Sequence, residues 1–378
     1  MINFDNAATT FPKPEQVTTA AARAISLYGG NPGRSGHALS LRAAEQIYNV
    51  RLAASELFGA QLENVVFTSN CTHALNIAIQ GVVTPGSHVV ISSLEHNSVA
   101  RPVHALSLTD GVTYSVASPS FDDEVTAANF EKLITPRTSA VVCTLASNVT
   151  GQILPWRRIG EVCRRHGIAF IADGAQVCGI RPVKLSDGIN ILCTAGHKGL
   201  YGPTGTGLLM TDGKFPIKPL MQGGTGATSA QLTQTPFLPE QLESGTLNTV
   251  GIIALGEGIR FVKTTGFDAI ERKEEALCAL FVKLLRENKA IKVYRNPYCK
   301  YMPIVAFEHT DAPSEAVASY LSEKGFALRG GLQCAAVTHG AMGTTETGVV
   351  RFAPSVFNNT AQVRALISAL QQFDAKKK

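Results

Sequence analysis

The chain has 378 residues, of which 45% are hydrophobic and 17% charged, with a formal net charge of +5. That length predicts two domains packed around a shared cleft, and the apolar share allows a large core. The basic residues are scattered apart from Lys376-Lys377-Lys378, with no Lys/Arg stripe interleaved with aromatics, so a nucleic-acid surface is excluded.

In chain order, Met1-Ile-Asn-Phe-Asp-Asn6 lacks the basic start and apolar core of a secretory signal. Residues 2–12 read as irregular, with turn signals at Asp5-Asn6 and Phe11-Pro12. A helix is predicted from Pro14, and a glycine-rich loop, Tyr28 to His37, follows it carrying Arg34. Apolar positions Ala43, Ile47, Val50, Ala54 and Leu57 recur at helical spacing up to Gly59. Strands are predicted at Val65–Thr68, His88–Ser92, Val112–Val116, Ala140–Leu145, Ala169–Ala172, Ile189–Thr194 and Gly207–Thr211. Helices are predicted at Thr72–Gln80, Asn97–Leu106, Glu124–Leu133 and Pro155–His166. This alternation predicts an α/β fold, with a mostly parallel sheet covered on both faces. Residues 213–250 lose periodicity and read as a long functional loop. Helices over Thr249–Thr264 and Phe267–Asn288, strands at Ile304–Phe307 and Val349–Phe352, and a helix over Gln362–Phe373 complete the chain. No apolar segment approaches bilayer-spanning length.

Eight cysteines, at 71, 143, 163, 178, 193, 278, 299 and 334, form no C-x-x-C pair and no metal-like spacing. Cys143 and Cys193 lie inside apolar runs and read as small buried hydrophobes. A reduced, cytoplasmic protein without a metal or a membrane is predicted.

The chemistry concentrates at two strand ends. Ile171-Ala-Asp-Gly-Ala-Gln176 ends an apolar run in Asp173, and Ala195-Gly-His-Lys198 ends the next in His197-Lys198. On neighbouring strands these place a carboxylate and an amine at the rim where open α/β sheets bind ligands. A lysine able to form a Schiff base, with an acid to pair a pyridine nitrogen, is what pyridoxal phosphate (PLP) requires.

Together with Leu94-Glu-His-Asn97, Ala146-Ser-Asn-Val-Thr-Gly151, Ser244-Gly-Thr-Leu-Asn248 and Arg329-Gly-Gly-Leu-Gln-Cys-Ala335, these motifs resemble the class V, fold-type-I PLP enzymes. Within them the chain is most similar to the cysteine desulfurase / selenocysteine lyase group, in the branch with an R-x-G-x-x-C-A loop. The resemblance runs from Asp5-Asn-Ala-Ala8 to Val350-Arg351-Phe352. It implies a seven-stranded large domain over 15–250, and a smaller α+β domain from 1–14 and 251–378 carrying the Cys334 loop and Arg351.

The resemblance also implies roles. Lys198 is the Schiff-base lysine, Asp173 the partner of the pyridine nitrogen, and Gln176 a donor to the phenolic oxygen. His96 stacks on the ring and shares with Lys198 the candidacy for the proton-moving base. Cys71, Thr72, His197 and, from a second subunit, Thr246 hold the phosphate. Ala195 stands where relatives often carry a phosphate-binding serine, and Thr194 is the candidate substitute. Asn148 touches both cofactor and substrate, Arg351 forks onto the substrate carboxylate, and Arg329 and Arg34 complete the substrate site. Cys334, on a loop whose glycines predict mobility, attacks the substrate sulfur.

The implied activity is conversion of L-cysteine to L-alanine with a persulfide left on Cys334, by a homodimer serving a sulfur-acceptor protein. Selenocysteine lyase, another class V aminotransferase or lyase, and an idle sulfur-carrier scaffold are the alternatives.

Overall fold

The computed structural model describes residues 1–33 and 36–375, so Arg34 and the terminal lysine run lie outside the described residues. In chain order the elements are β1 (Ile2–Asn3), α1 (Glu15–Leu27), α2 (Ala38–Phe58), β2 (Val65–Thr68), α3 (Cys71–Val82) and β3 (His88–Ser92). Next come α4 (Asn97–Thr109), β4 (Thr113–Ala117), α5 (Asp123–Glu131), β5 (Thr138–Thr144), α6 (Trp156–His166), β6 (Ala169–Asp173), β7 (Ile191–Ala195) and β8 (Gly207–Thr211). The rest comprises α7 (Thr249–Thr265), α8 (Phe267–Leu285), β9 (Ile291–Val293), β10 (Val305–His309), α9 (Ser314–Glu323), β11 (Phe326–Ala327), α10 (Ala336–Met342), β12 (Val350–Phe352) and α11 (Thr360–Ala375).

Seven strands form one sheet in the order β2-β8-β7-β6-β5-β3-β4. Every pairing from β7 across to β4 is parallel, and β8 alone runs antiparallel to its neighbours β2 and β7. The strands β2, β3, β5, β6 and β7 are apolar on both faces, as expected where helices cover both sides of a parallel sheet. One face buries Phe67, Val90, Val141, Phe170 and Leu192 against residues such as Phe58, Trp156 and Ile159. The other buries Val66, Ile91, Val142, Ile171 and Cys193 against Leu75, Ile79, Val99 and Val103. Since β2 and β7 are both antiparallel to β8, the carboxyl ends of β2, β3, β5, β6 and β7 all point to one rim.

Residues 2–3, predicted to be irregular, pair in parallel with β11, and Phe4 is buried beside Phe281 and Phe352 in a further core built from α8, β10, α9 and α11. The helix α7 packs Ile252, Leu255 and Ile259 into the core under the large sheet. Residues 213–248 carry no regular helix or strand, matching the loop predicted there. No helix among the described residues is long and apolar enough to cross a membrane.

Candidate active site

The strand ends at the common rim deliver the groups. The last residue of β6 and the turn after β7 bring Asp173 and Lys198 into a single cavity of about 210 Å³, whose wall also includes Cys71, Thr72, His96, Asn148, Gln176, His197, Arg329 and Arg351. All ten of these were picked out in the sequence. Thr246 is exposed and off this wall, with its hydroxyl accepting from Asn31 Nδ2 at 3.4 Å.

Asp173 closes β6 with its Oδ1 accepting the Ala175 N–H at 2.9 Å and the Cys71 thiol at 3.4 Å. Burial, followed by the charge of Asp173, pushes the Cys71 thiol well above its ordinary range, so it stays a neutral donor. Lys198 follows β7 in a turn whose Tyr201 has a left-handed φ of 55°. Its amine is pulled below its ordinary value mainly by burial, against the opposing pull of Asp173. Desolvation thus favours the free base that attacks a carbonyl carbon. Gln176 is anchored by its Nε2 to the Ala7 carbonyl at 3.2 Å.

His96 caps α4. Its Nδ1 accepts the Ser98 N–H at 3.0 Å and lies 2.7 Å from the Ser98 hydroxyl, which in turn is 2.7 Å from Thr72 Oγ1. Because Nδ1 accepts a backbone N–H, the neutral ring carries its proton on Nε2. Burial drives the imidazole down to about 4, with Asp173 opposing and Lys198, Arg329 and Arg351 adding to the fall.

The residue before it, Glu95, was missed in the sequence although a carboxylate at the end of an apolar strand was the signal. The β3–β5 ladder ends at Ile91–Val142. Beyond that point the Glu95 carboxyl, fully buried, accepts the Thr144 N–H at 2.9 Å and the Ser92 N–H at 3.3 Å, with the Ser92 hydroxyl also bound to it. A side chain thus substitutes for a strand partner and fixes where His96 emerges.

Of the phosphate-holding residues expected from the sequence, Cys71, Thr72 and His197 sit together on this wall and Thr246 does not. Cys71 and Thr72 open α3, whose Asn70 side chain accepts the His73 N–H at 2.8 Å. Ala195 lines the cavity but Thr194 does not, because successive strand residues face opposite sides. Thr194 therefore cannot replace the serine that relatives carry.

On the far wall Arg351 is almost wholly buried between the Asp5 carboxylate, 2.6 Å from Nη2, and the Asn148 carbonyl, 2.9 Å from Nη1, while its Nε has no partner. Asn148 donates from Nδ2 to the Gln333 carbonyl at 2.8 Å, leaving its buried Oδ1 without a partner. A bridge between residues 329 and 351 sets Arg329 beside Arg351.

Arg329 Nη2 donates to Cys334 Sγ at 3.1 Å. Six of the eight cysteines are buried, Cys299 is half-buried, and Cys334 is exposed. Cys334 lies on the wall of an open cleft of about 530 Å³ that shares Thr72, His96 and Ser98 with the inner cavity. In the loop that carries Cys334, Gln333 and Cys334 have left-handed φ of 43° and 58°, and the Cys334 carbonyl accepts the Asn97 N–H at 2.8 Å. Two successive side-chain-bearing residues in that region cost about 1 to 3 kcal/mol each and persist only where their surroundings over-determine them.

The class-V aminotransferase family model matches residues 2–366. The chain belongs to that family. Its members are PLP-dependent enzymes. A probable cysteine desulfurase of Methanothermobacter thermautotrophicus is 29% identical over 97% of this chain and 93% of that protein. Probable cysteine desulfurase 1 of Mycobacterium leprae is 28% identical over 98% of this chain, which spans 62% of that longer protein. Among solved structures, the apo cysteine desulfurase of Thermococcus onnurineus NA1 superposes with a TM-score of 0.90 at 28% identity, covering 98% of this chain and 94% of that one. The cysteine desulfurase CsdA of Escherichia coli gives 0.87 at 26% identity, over 98% and 94%.

The residues present fit the family's cofactor. A buried carboxylate, a desolvated amine and a helix N-terminus with a hydroxyl face one cavity. The buried Asn148 Oδ1, His197 Nδ1 and Arg351 Nε on its wall have no protein partner, as expected of groups kept for a polar ligand.

Proposed function

We propose that the protein is a PLP-dependent cysteine desulfurase that converts L-cysteine to L-alanine and retains the sulfur as a persulfide on Cys334. One observation carries this: Cys334, exposed, lies 3.1 Å from the guanidinium of Arg329, which lines the cavity that holds Lys198 and Asp173, and on a cleft that shares Thr72, His96 and Ser98 with that cavity. The likeness to proteins named cysteine desulfurase supports it.

Lys198 would hold the cofactor aldehyde, Asp173 the protonated pyridine nitrogen, and Gln176 the phenolic oxygen. Thr72, Cys71 and His197 would hold the phosphate. When bound, the cofactor supplies a sink for the electron pair released at the substrate α-carbon. The chain supplies the rest. Arg351 and Asn148 orient the amino acid through its carboxylate. Of the two candidate bases, Lys198 is the one whose free-amine form burial favours, while His96 enters as a neutral ring with its proton on Nε2. Cys334 then attacks the substrate sulfur. An S–S bond forms and the Cβ–S bond breaks, its electron pair staying with the carbon skeleton, which takes up a proton and leaves as alanine. The balance is cysteine plus Cys334–SH giving alanine plus Cys334–S–SH, with no outside oxidant.

Exposure of Cys334 supports onward transfer of that sulfur to an acceptor protein. The position of Thr246, exposed and away from its own chain's cavity, supports a homodimer in which it serves the other copy's phosphate.

The test is alanine released from L-cysteine and from L-selenocysteine, with reductant present, by wild type and Cys334→Ala. We expect the variant to keep the cofactor's absorbance and lose about 10²-fold or more of its activity on cysteine. Unchanged release by the variant would remove Cys334 from the reaction. Alanine from selenocysteine alone would move the assignment to a lyase.

A further inference from the structure

We propose that His339 is a positioning residue: through Gln333 it locks the backbone that presents Cys334 to the substrate. The inference rests on the reading of Cys334 as the sulfur-accepting nucleophile.

The hydrogen bonds fix one another's direction. Gln333 Nε2 faces two carbonyls, Val349 O at 2.8 Å and Arg329 O at 3.3 Å, and carbonyls only accept. The amide nitrogen therefore points at them, and Gln333 Oε1 is left facing His339 Nε2 at 3.0 Å. That oxygen can only accept, so His339 carries its proton on Nε2. Its bare Nδ1 then takes the Thr344 hydroxyl at 2.8 Å. Burial keeps the imidazole below its ordinary value, consistent with a ring that holds one proton. Gln333, His339 and Thr344 are 1%, 0% and 2% exposed, so water does not offer these atoms a substitute.

What the relay secures is an unfavourable backbone. Gln333 and Cys334 are consecutive left-handed residues without a glycine between them, a state that relaxes unless its neighbours prevent it. The Gln333 carbonyl is held by Asn148 Nδ2 and the Cys334 carbonyl by the Asn97 N–H. The Gln333 side chain is held by His339. Through the same amide the relay ties the Arg329 carbonyl to the Val349 carbonyl, joining the segment that bears the Cys334 partner to the one that bears Arg351. His339 lines neither the inner cavity nor the cleft beside Cys334, and so acts through Gln333.

The test uses the holoenzyme with His339→Phe, His339→Gln and Thr344→Val. Glutamine can offer an N–H where Nε2 stood and an oxygen to Thr344; phenylalanine fills the space with neither. In His339→Phe we expect persulfide formation in a single turnover to slow by about tenfold or more, since small misplacements of reacting groups carry penalties of that order. The KM for cysteine and the cofactor absorbance should stay within about twofold, and His339→Gln should recover most of the rate. In the cofactor-free protein, amide exchange over 329–337 should rise by about fivefold in the phenylalanine variant and fall back in the glutamine variant.

A wild-type persulfide rate in His339→Phe overturns the proposal. So does an equal loss in His339→Gln, which would assign the effect to packing alone. Should phenylalanine prevent folding, Thr344→Val removes one link with little change in volume. A slowed persulfide step there supports the relay, and an unchanged one overturns it. Alanine release undiminished in Cys334→Ala would instead sink the underlying reading of Cys334, whatever the His339 variants do.

Discussion

Arg351 illustrates how much of a binding residue's work is done before any ligand arrives. Its guanidinium is buried, with Nη2 on Asp5 and Nη1 on the Asn148 carbonyl, so the fork is already oriented and its charge already paired with a carboxylate. A carboxylate entering the cavity meets a rigid donor rather than a flexible one, which lowers the entropy cost of binding. Lysine would keep the charge but cannot span both anchors, and its ammonium is a point donor on a flexible stem. Arg351→Lys is therefore expected to raise the KM for cysteine by about tenfold or more, roughly 1.4 kcal/mol of lost binding, with kcat changed much less. Steady-state kinetics on cysteine decide it. A fall confined to kcat would mean that Arg351 acts on the reacting atoms and not on the carboxylate.

Where elements meet, one very close backbone approach lies directly behind Lys198. Gly258 on α7 passes over the turn that follows the lysine, and a Cβ built there would collide with the Leu200 carbonyl oxygen and come within 2.9 Å of the Gly202 nitrogen. Both obstacles are backbone, so they cannot swing aside. Gly258→Ala should lower stability by about 1 to 3 kcal/mol, the usual cost of overpacking, despite alanine's better helix propensity. A urea midpoint equal to or above wild type would show that α7 is free to slide. The same contrast between local and long-range causes sets what the sequence revealed. The strands Val65–Thr68, His88–Ser92 and Gly207–Thr211 match their predicted bounds because apolar runs closed by polar residues or glycine announce themselves. The two-residue β1 and β11, by comparison, exist because they pair with each other across more than three hundred residues. Among site residues, Lys198, Asp173 and His96 were visible through their motifs. Glu95, Gln333 and His339 were not, since their meaning lies in Thr144, Val349 and Thr344, partners that no local pattern points to.

At the scale of the whole molecule, the buried carboxyl groups of Glu95 and Glu274 are held far above their ordinary range, and their cost is a property of the complete fold. Glu95 lies between the ends of β3 and β5, and Glu274, on α8, accepts the Tyr201 hydroxyl at 3.2 Å. Burial raises each from 4.5 to about 8, against hydrogen bonds that lower it. The native chain thus holds protons that the unfolded chain releases near 4.5, so their contribution is fully present below that value and is lost as pH rises through about 8. Buried His96 and His197, both lowered to about 4 from 6.5, act in the opposite direction on the acid side: stability falls as they are forced to charge between those values. Lys13, lowered by burial from 10.5 to about 8, gains stability as pH rises between those values, above the range in which the carboxyl groups lose it, and Lys198 is shifted in the same direction. A single stability curve therefore mixes these effects, whereas a difference between two proteins isolates one. Glu274→Gln keeps an acceptor for Tyr201 and cannot ionise. Between pH 5 and 8 the wild type should lose stability relative to this variant by up to about 1.4 kcal/mol per pH unit, then run parallel to it above that range. Urea unfolding across that pH range reads the difference directly. Parallel curves from pH 5 onward would mean that Glu274 ionises inside the fold as easily as outside it, and that its place beneath the Lys198 turn is open to water.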